Sequence, residues 1–138
     1  MAIAGYSGTP LLKKLGIEEN MKVKLVHAPA DYFALLEKDI SRQFCKKNEL
    51  PDIVDLFAEN KKIFEKEMQP LQLLCKKNMA ITIWVSWYKK NAGIATDLTE
   101  EVIRNYALAN NLVDVKVCAV SELWCGLKLV VPLAKRTR

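Results

Sequence analysis
The 138-residue sequence predicts an α/β domain: a three-layer α/β/α sandwich around a mainly parallel sheet of about five strands that ends in an antiparallel hairpin. Three observations carry this expectation. Apolar runs alternate with segments of helical period between residues 21 and 110, the pattern of strand–helix–strand units. The run Ala80-Ile81-Thr82-Ile83-Trp84-Val85-Ser86-Trp87 is dense in β-branched and aromatic residues, as a central strand covered on both faces would be. Two closing runs, 113–119 and 127–131, are joined tightly enough to pair antiparallel.

The elements follow in order. Thr9 and Pro10 start a short helix over 10–15, because the hydroxyl can cap free amides and proline fits the first helical position, and Gly16 supplies a left-handed stop. Met21 to Val26 form the first strand, with Val23, Leu25 and Val26 as its apolar residues. Asp31 is placed to cap a second short helix carrying Tyr32, Phe33, Leu35 and Leu36. Residues 38–50 are polar and carry no clear period. Pro51 introduces a second strand, Ile53 to Phe57, and Asn60 caps a helix bearing Ile63, Phe64, Met68, Leu71 and Leu74, which Pro70 should kink or divide. After the third strand and a loop at 88–96, Asp97 or Thr99 caps the last helix, with Glu100 and Glu101 favourably placed in its first turn. That helix stops near Asn110-Asn111. Right-handed crossovers between the parallel strands are expected.

Composition is that of one globular domain over residues 1–138, with 51% hydrophobic and 27% charged residues. At this length folding buries roughly two-thirds of the chain's surface, enough for a self-sufficient core. No apolar stretch approaches the roughly 20 residues that span a bilayer, and the first five residues lack the regions of a secretion signal, so a cytoplasmic location is expected. Four cysteines without CxxC spacing and a single histidine offer no zinc pattern. Cys118 and Cys125 flank a hairpin centred near Ser121 and Glu122, which makes a disulfide geometrically conceivable, although two apolar thiols in the sheet is the reading we favour. The net charge of +5 is dispersed and interrupted by acids, which argues against a nucleic-acid surface despite the basic end Lys135-Arg136-Thr137-Arg138.

The strand and helix order resembles the later part of the S-adenosylmethionine-dependent methyltransferase fold, a shortened Rossmann-like layout. Such enzymes carry a glycine-rich turn after the first strand, where this chain has His27-Ala28-Pro29-Ala30; the cofactor is therefore not expected here, and no other cofactor is. Tyr6-Ser7-Gly8-Thr9-Pro10-Leu11, Trp84-Val85-Ser86-Trp87, Thr96-Asp97-Leu98-Thr99-Glu100 and Gly126-Leu127-Lys128-Leu129-Val130 are among the segments that resemble an uncharacterised bacterial domain-of-unknown-function family. That resemblance runs nearly end to end and implies no activity.

In open parallel sheets ligands bind beyond the carboxyl ends of the strands. Lys61-Lys62 and Lys89-Lys90 follow strands and fall on that rim, whereas Lys46-Lys47 and Lys76-Lys77 precede strands and fall on the opposite one. The expected site is therefore His27, Trp87, Lys89, Lys90 and the loop to Asp97, holding a small anion or a partner segment. Asp31, Glu59, Asp97 and Glu100 share the rim and would oppose an anion. Trp84 and Trp87 should face opposite sides of the sheet, leaving Trp87 as the ligand contact. A non-enzymatic ligand-binding or interaction module is the leading reading. A small methyltransferase-related enzyme using His27 as acid or base is the second, with Ser7 and Ser86 as unsupported nucleophiles. A homodimer formed through the terminal hairpin and Trp124 is the third.

Overall fold
The computed structural model describes residues 10–136. Helix α1 (Leu11–Leu15) is followed by β1 (Val23–Val26), α2 (Tyr32–Leu36), β2 (Ile53–Phe57), α3 (Lys61–Lys77), β3 (Thr82–Tyr88), α4 (Glu100–Ala109), β4 (Val113–Ala119) and β5 (Trp124–Val130), with single 3-10 turns at Ser41–Gln43, Lys90–Ala92 and Leu133–Lys135. The five strands form one sheet in the order β1-β2-β3-β5-β4. β1, β2 and β3 run parallel, and β5 lies antiparallel between β3 and β4. The α/β sandwich and its closing hairpin are thus as expected. No helix among the described residues is long and apolar enough to cross a membrane.

Strand alternation divides the core between the two faces. Val54, Leu56, Ile83, Val85, Trp87, Leu127 and Leu129 pack beneath Phe64, Met68 and Leu71 of α3 and Ile103 and Ala107 of α4. Ile53, Phe57, Trp84 and Trp124 pack on the other face against Leu11 and Leu15 of α1 and Tyr32 and Leu36 of α2. Trp84 and Trp87 fall on opposite faces, and both are buried. The Trp84 indole N–H donates to the Leu15 carbonyl at 2.9 Å, which fastens α1 to the sheet centre.

Several local expectations are corrected. Thr9 lies outside the described residues, and Gly16 closes α1 at φ 77 as expected. Asp31 occupies the cap position of α2 but its side chain makes no capping bond. Pro70 neither divides α3 nor ends it: one helix runs through it, with Lys66, whose carbonyl proline leaves without a donor, and Pro70 both on its exposed flank. Thr99 caps α4 by accepting the Val102 N–H at 3.2 Å, whereas Asp97 accepts the Lys61 N–H at 2.8 Å and so serves the start of α3 instead. Trp124 opens β5 rather than preceding it. Cys118 pairs with Gly126, and Cys125 with Ala119, so the two thiols project to opposite faces and cannot bridge.

The first crossover differs from a simple right-handed unit. α2 and α3 cover opposite faces although β1 to β2 and β2 to β3 step the same way across the sheet. The segment expected to be structureless supplies the reason. Phe44 pairs in parallel with Val23 on the side away from β2, and the Cys45 N–H donates to the Val23 carbonyl at 2.8 Å. The chain therefore leaves β1 outward over α2, touches the sheet beyond β1, and returns past its amino end to β2. Connections depart in opposite directions from β1 and from β2, which makes the gap between their carboxyl ends the topological switch point of the sheet.

Candidate functional site
Two neighbouring cavities occupy the carboxyl rim. The first, of about 530 Å3, lies at the switch point and is lined by His27, Ala28 and Pro29 after β1, by Phe57 and Glu59 at the end of β2, and by Ile63, Tyr88, Leu123 and Trp124. The second, of about 810 Å3, lies beside it, between the end of β3 and the start of α4. Trp87, Lys89, Lys90, Thr99, Glu100, Glu101 and Cys125 are among its walls, and Tyr88 belongs to both cavities.

His27 sits in the turn with φ 57, a left-handed conformation that glycine adopts without cost and that other residues reach at a penalty. Its backbone thus takes the shape of a glycine turn while carrying a side chain that glycine lacks. His27 Nε2 and Glu67 Oε2 on α3 lie 2.7 Å apart in a hydrogen bond that holds the imidazole against that helix. Pro29 removes one amide from the same turn, and α2 spans only five residues. Little remains there to cradle a pyrophosphate.

Tyr88 and Trp124 stack at 4.3 Å between ring centroids, and the edge of Phe57 meets Trp124 at 5.1 Å. The register of β3 on β5 places Tyr88 opposite Trp124 and so produces the stack. The Tyr88 hydroxyl donates to Glu59 Oε2 at 3.0 Å, and the Thr96 hydroxyl donates to the Glu59 carbonyl at 2.7 Å, which ties the loop of the second cavity to the wall of the first. Burial, reinforced by Glu59, raises the Tyr88 phenol above its ordinary value. Cys125 is likewise raised by burial, with Lys89 pulling the other way, so its thiol is not an activated nucleophile.

The expected site residues are therefore divided. Trp87, Lys89 and Lys90 share the larger cavity, His27 lies in the switch-point crevice, and Asp97 lines neither. Trp87 is only 7% exposed, so Tyr88 is the principal aromatic surface of the rim. Trp124, also 7% exposed and covered by Tyr88, offers little to a second copy of the chain. Ser86 is fully buried within the sheet and out of reach of a rim ligand, and Ser7 lies outside the described residues. Glu59 and Tyr88 were missed as site residues. Glu59 is the first charged residue beyond β2, so the carboxyl-end rule applied to that strand names it.

The Lys76 pair does lie at the opposite end, where Lys76 joins Gln72, Asn110, Asn111 and Lys135 around a cavity of about 430 Å3. Inside the sheet, Asp55 is 1% exposed on β2 and accepts the Tyr32 hydroxyl at 2.8 Å, while its Oδ1 has no partner. Burial pushes its carboxyl up to about 7, against a smaller lowering by the Tyr32 bond.

No family model matches the chain, and no curated protein does. Among solved structures, a protein in the NADB-Rossmann superfamily from Streptococcus agalactiae is similar, with a TM-score of 0.52 over 96% of this chain and 72% of that one at 8% sequence identity. The likeness shows a Rossmann-like α/β fold and nothing of the ligand.

Proposed function
We propose that this chain is a non-catalytic ligand-binding module of Rossmann-like fold whose ligand is a small anion held on the carboxyl rim. One observation carries the reading: Lys89 and Lys90 line the larger cavity, and of the acids nearby Asp97, Glu59 and Glu100 are engaged elsewhere, which leaves Glu101 as the one acid on its wall without a partner among the described residues. Asp97 is spent on the Lys61 amide, Glu59 faces the neighbouring crevice, and Glu100 pairs with Arg104, which also holds Asp114. The first-turn amides of α4 lie at the same wall, where the helix dipole favours negative charge. A nucleotide is disfavoured by the side chains of the His27 turn. Among the described residues no serine, threonine or cysteine lines the His27 crevice, and the imidazole is bonded to Glu67. The finer resemblance to a bacterial family of unknown function agrees with this reading without adding an activity.

The test is thermal-shift and calorimetric titration of the protein with inorganic phosphate, simple carboxylates, nucleotides and S-adenosylmethionine. The double variant Lys89→Ala with Lys90→Ala is run beside it. Stabilisation by a small anion that the double variant loses supports the reading. Absence of any anion response, or saturable S-adenosylmethionine binding in its place, would replace it.

A further inference from the structure
We infer that the ligand carries an amine as well as its anionic group, with the amine seated at Glu59 in the switch-point crevice and the anion at Lys90 and the start of α4. This inference rests on the anion reading and names the chemical class of the ligand. Its ground is the contrast between two cavities that share one wall. Among the described residues no lysine or arginine lines the crevice, and its ionisable groups are His27, Glu59 and the Tyr88 phenol, which burial and Glu59 keep protonated. The His27 imidazole is hydrogen-bonded to Glu67, itself an acid, at 2.7 Å, so Glu59 sets the sign of the charge that a ligand meets.

Glu59 is well suited to the task. Its backbone is pinned by Thr96 and its carboxylate is oriented by the Tyr88 hydroxyl, which occupies a fraction of the roughly four acceptor positions that an ionised carboxylate offers. The Tyr88 ring, backed by Trp124, gives an ammonium a second favourable surface. A divalent metal ion fits less well, since it would require about six oxygen ligands and Glu59 is the one carboxylate among the lining residues.

An exposed ion pair alone is weak. A group tethered to an anion already bound arrives at high effective concentration, however, so the pair adds affinity without a second loss of translational freedom. A gain of about tenfold over the bare anion is expected.

Calorimetry at low ionic strength decides the matter with two matched pairs of probes, inorganic phosphate against phosphoethanolamine and propionate against β-alanine. The expected result is that one amine-bearing probe binds about tenfold tighter than its partner. In Glu59→Gln that ratio should fall to near one while the bare anion binds as before, and in Lys90→Ala both should weaken together. Equal affinities within both pairs, or a ratio that survives Glu59→Gln, would overturn the inference and leave the anion reading standing. Failure of phosphate and propionate alike to bind would remove the anion reading and this inference with it.

Discussion

Asp55 makes the stability of this protein depend on pH through the neutral range. The carboxyl is buried at the centre of the sheet, one oxygen accepts the Tyr32 hydroxyl and the other has no partner. A rise from 3.8 to about 7 means that the folded state holds this proton more tightly than the unfolded chain does. The stabilisation is fully present below the ordinary carboxylate value and is lost as pH rises through about 7. At 1.36 kcal/mol per pKa unit the span amounts to about 4 kcal/mol between acid and mildly alkaline solution. For a chain of this length that is on the order of 10 °C in melting temperature. Urea melts followed by tryptophan fluorescence at pH 5, 6, 7 and 8 sample the upper part of that span, about 2.5 kcal/mol of it. Cys75 and Cys118 are pushed up to about 11 by burial, and Asp39 and Glu49 are held low by hydrogen bonds, so these groups are silent in that window. Asp55→Asn keeps the acceptor for Tyr32 and leaves an amide without a partner, which costs about 1–3 kcal/mol at every pH. The slope is therefore the readout, and it should flatten in the variant. Parallel pH profiles for the two proteins would refute the argument.

Other consequences can be checked as simply. Tyr32→Phe removes the bond that lowers the Asp55 carboxyl, so the loss of stability should move to higher pH, seen in the same melts. Gly126→Ala places a Cβ 3.2 Å from Val120 Cγ2 and 3.3 Å from Trp84 Cε3, and because Trp84 is fixed by its bond to Leu15 we expect a loss of about 1–3 kcal/mol in urea unfolding. Asn60→Ala and Thr99→Ala each delete a side-chain cap and should each cost about 1 kcal/mol in urea unfolding. Treatment with a thiol oxidant should leave no intrachain Cys118–Cys125 link in a peptide mass map, since the register turns the two side chains apart.

What the sequence announced and what it concealed divide along a physical line. β2, β3 and β4 were legible because Ile53 to Phe57, Thr82 to Trp87 and Val113 to Ala119 carry strand character in every residue or two. Gly16 and Asn60 were legible because a left-handed stop and an N-cap are local chemistry. The switch point was hidden, since it depends on Phe44 meeting Val23 across twenty-one residues of polar chain with no period. Asp97 looked like a cap for the helix that follows it, and only the fold brings the Lys61 amide to it from thirty-six residues away. The rim lysines could be placed from strand order alone. The pairing of Glu59 with Tyr88 required the sheet itself.

The contact of Phe44 with Val23 also limits how this sheet can grow. It covers the start of β1 on its outer side, whereas among the described residues no strand covers the outer side of β4, where Val115 and Val117 stand exposed. Among the described residues, strand addition is therefore most open at β4. Two copies joined there would cover that margin in each other, and an isologous pairing of this kind closes on itself as a pair.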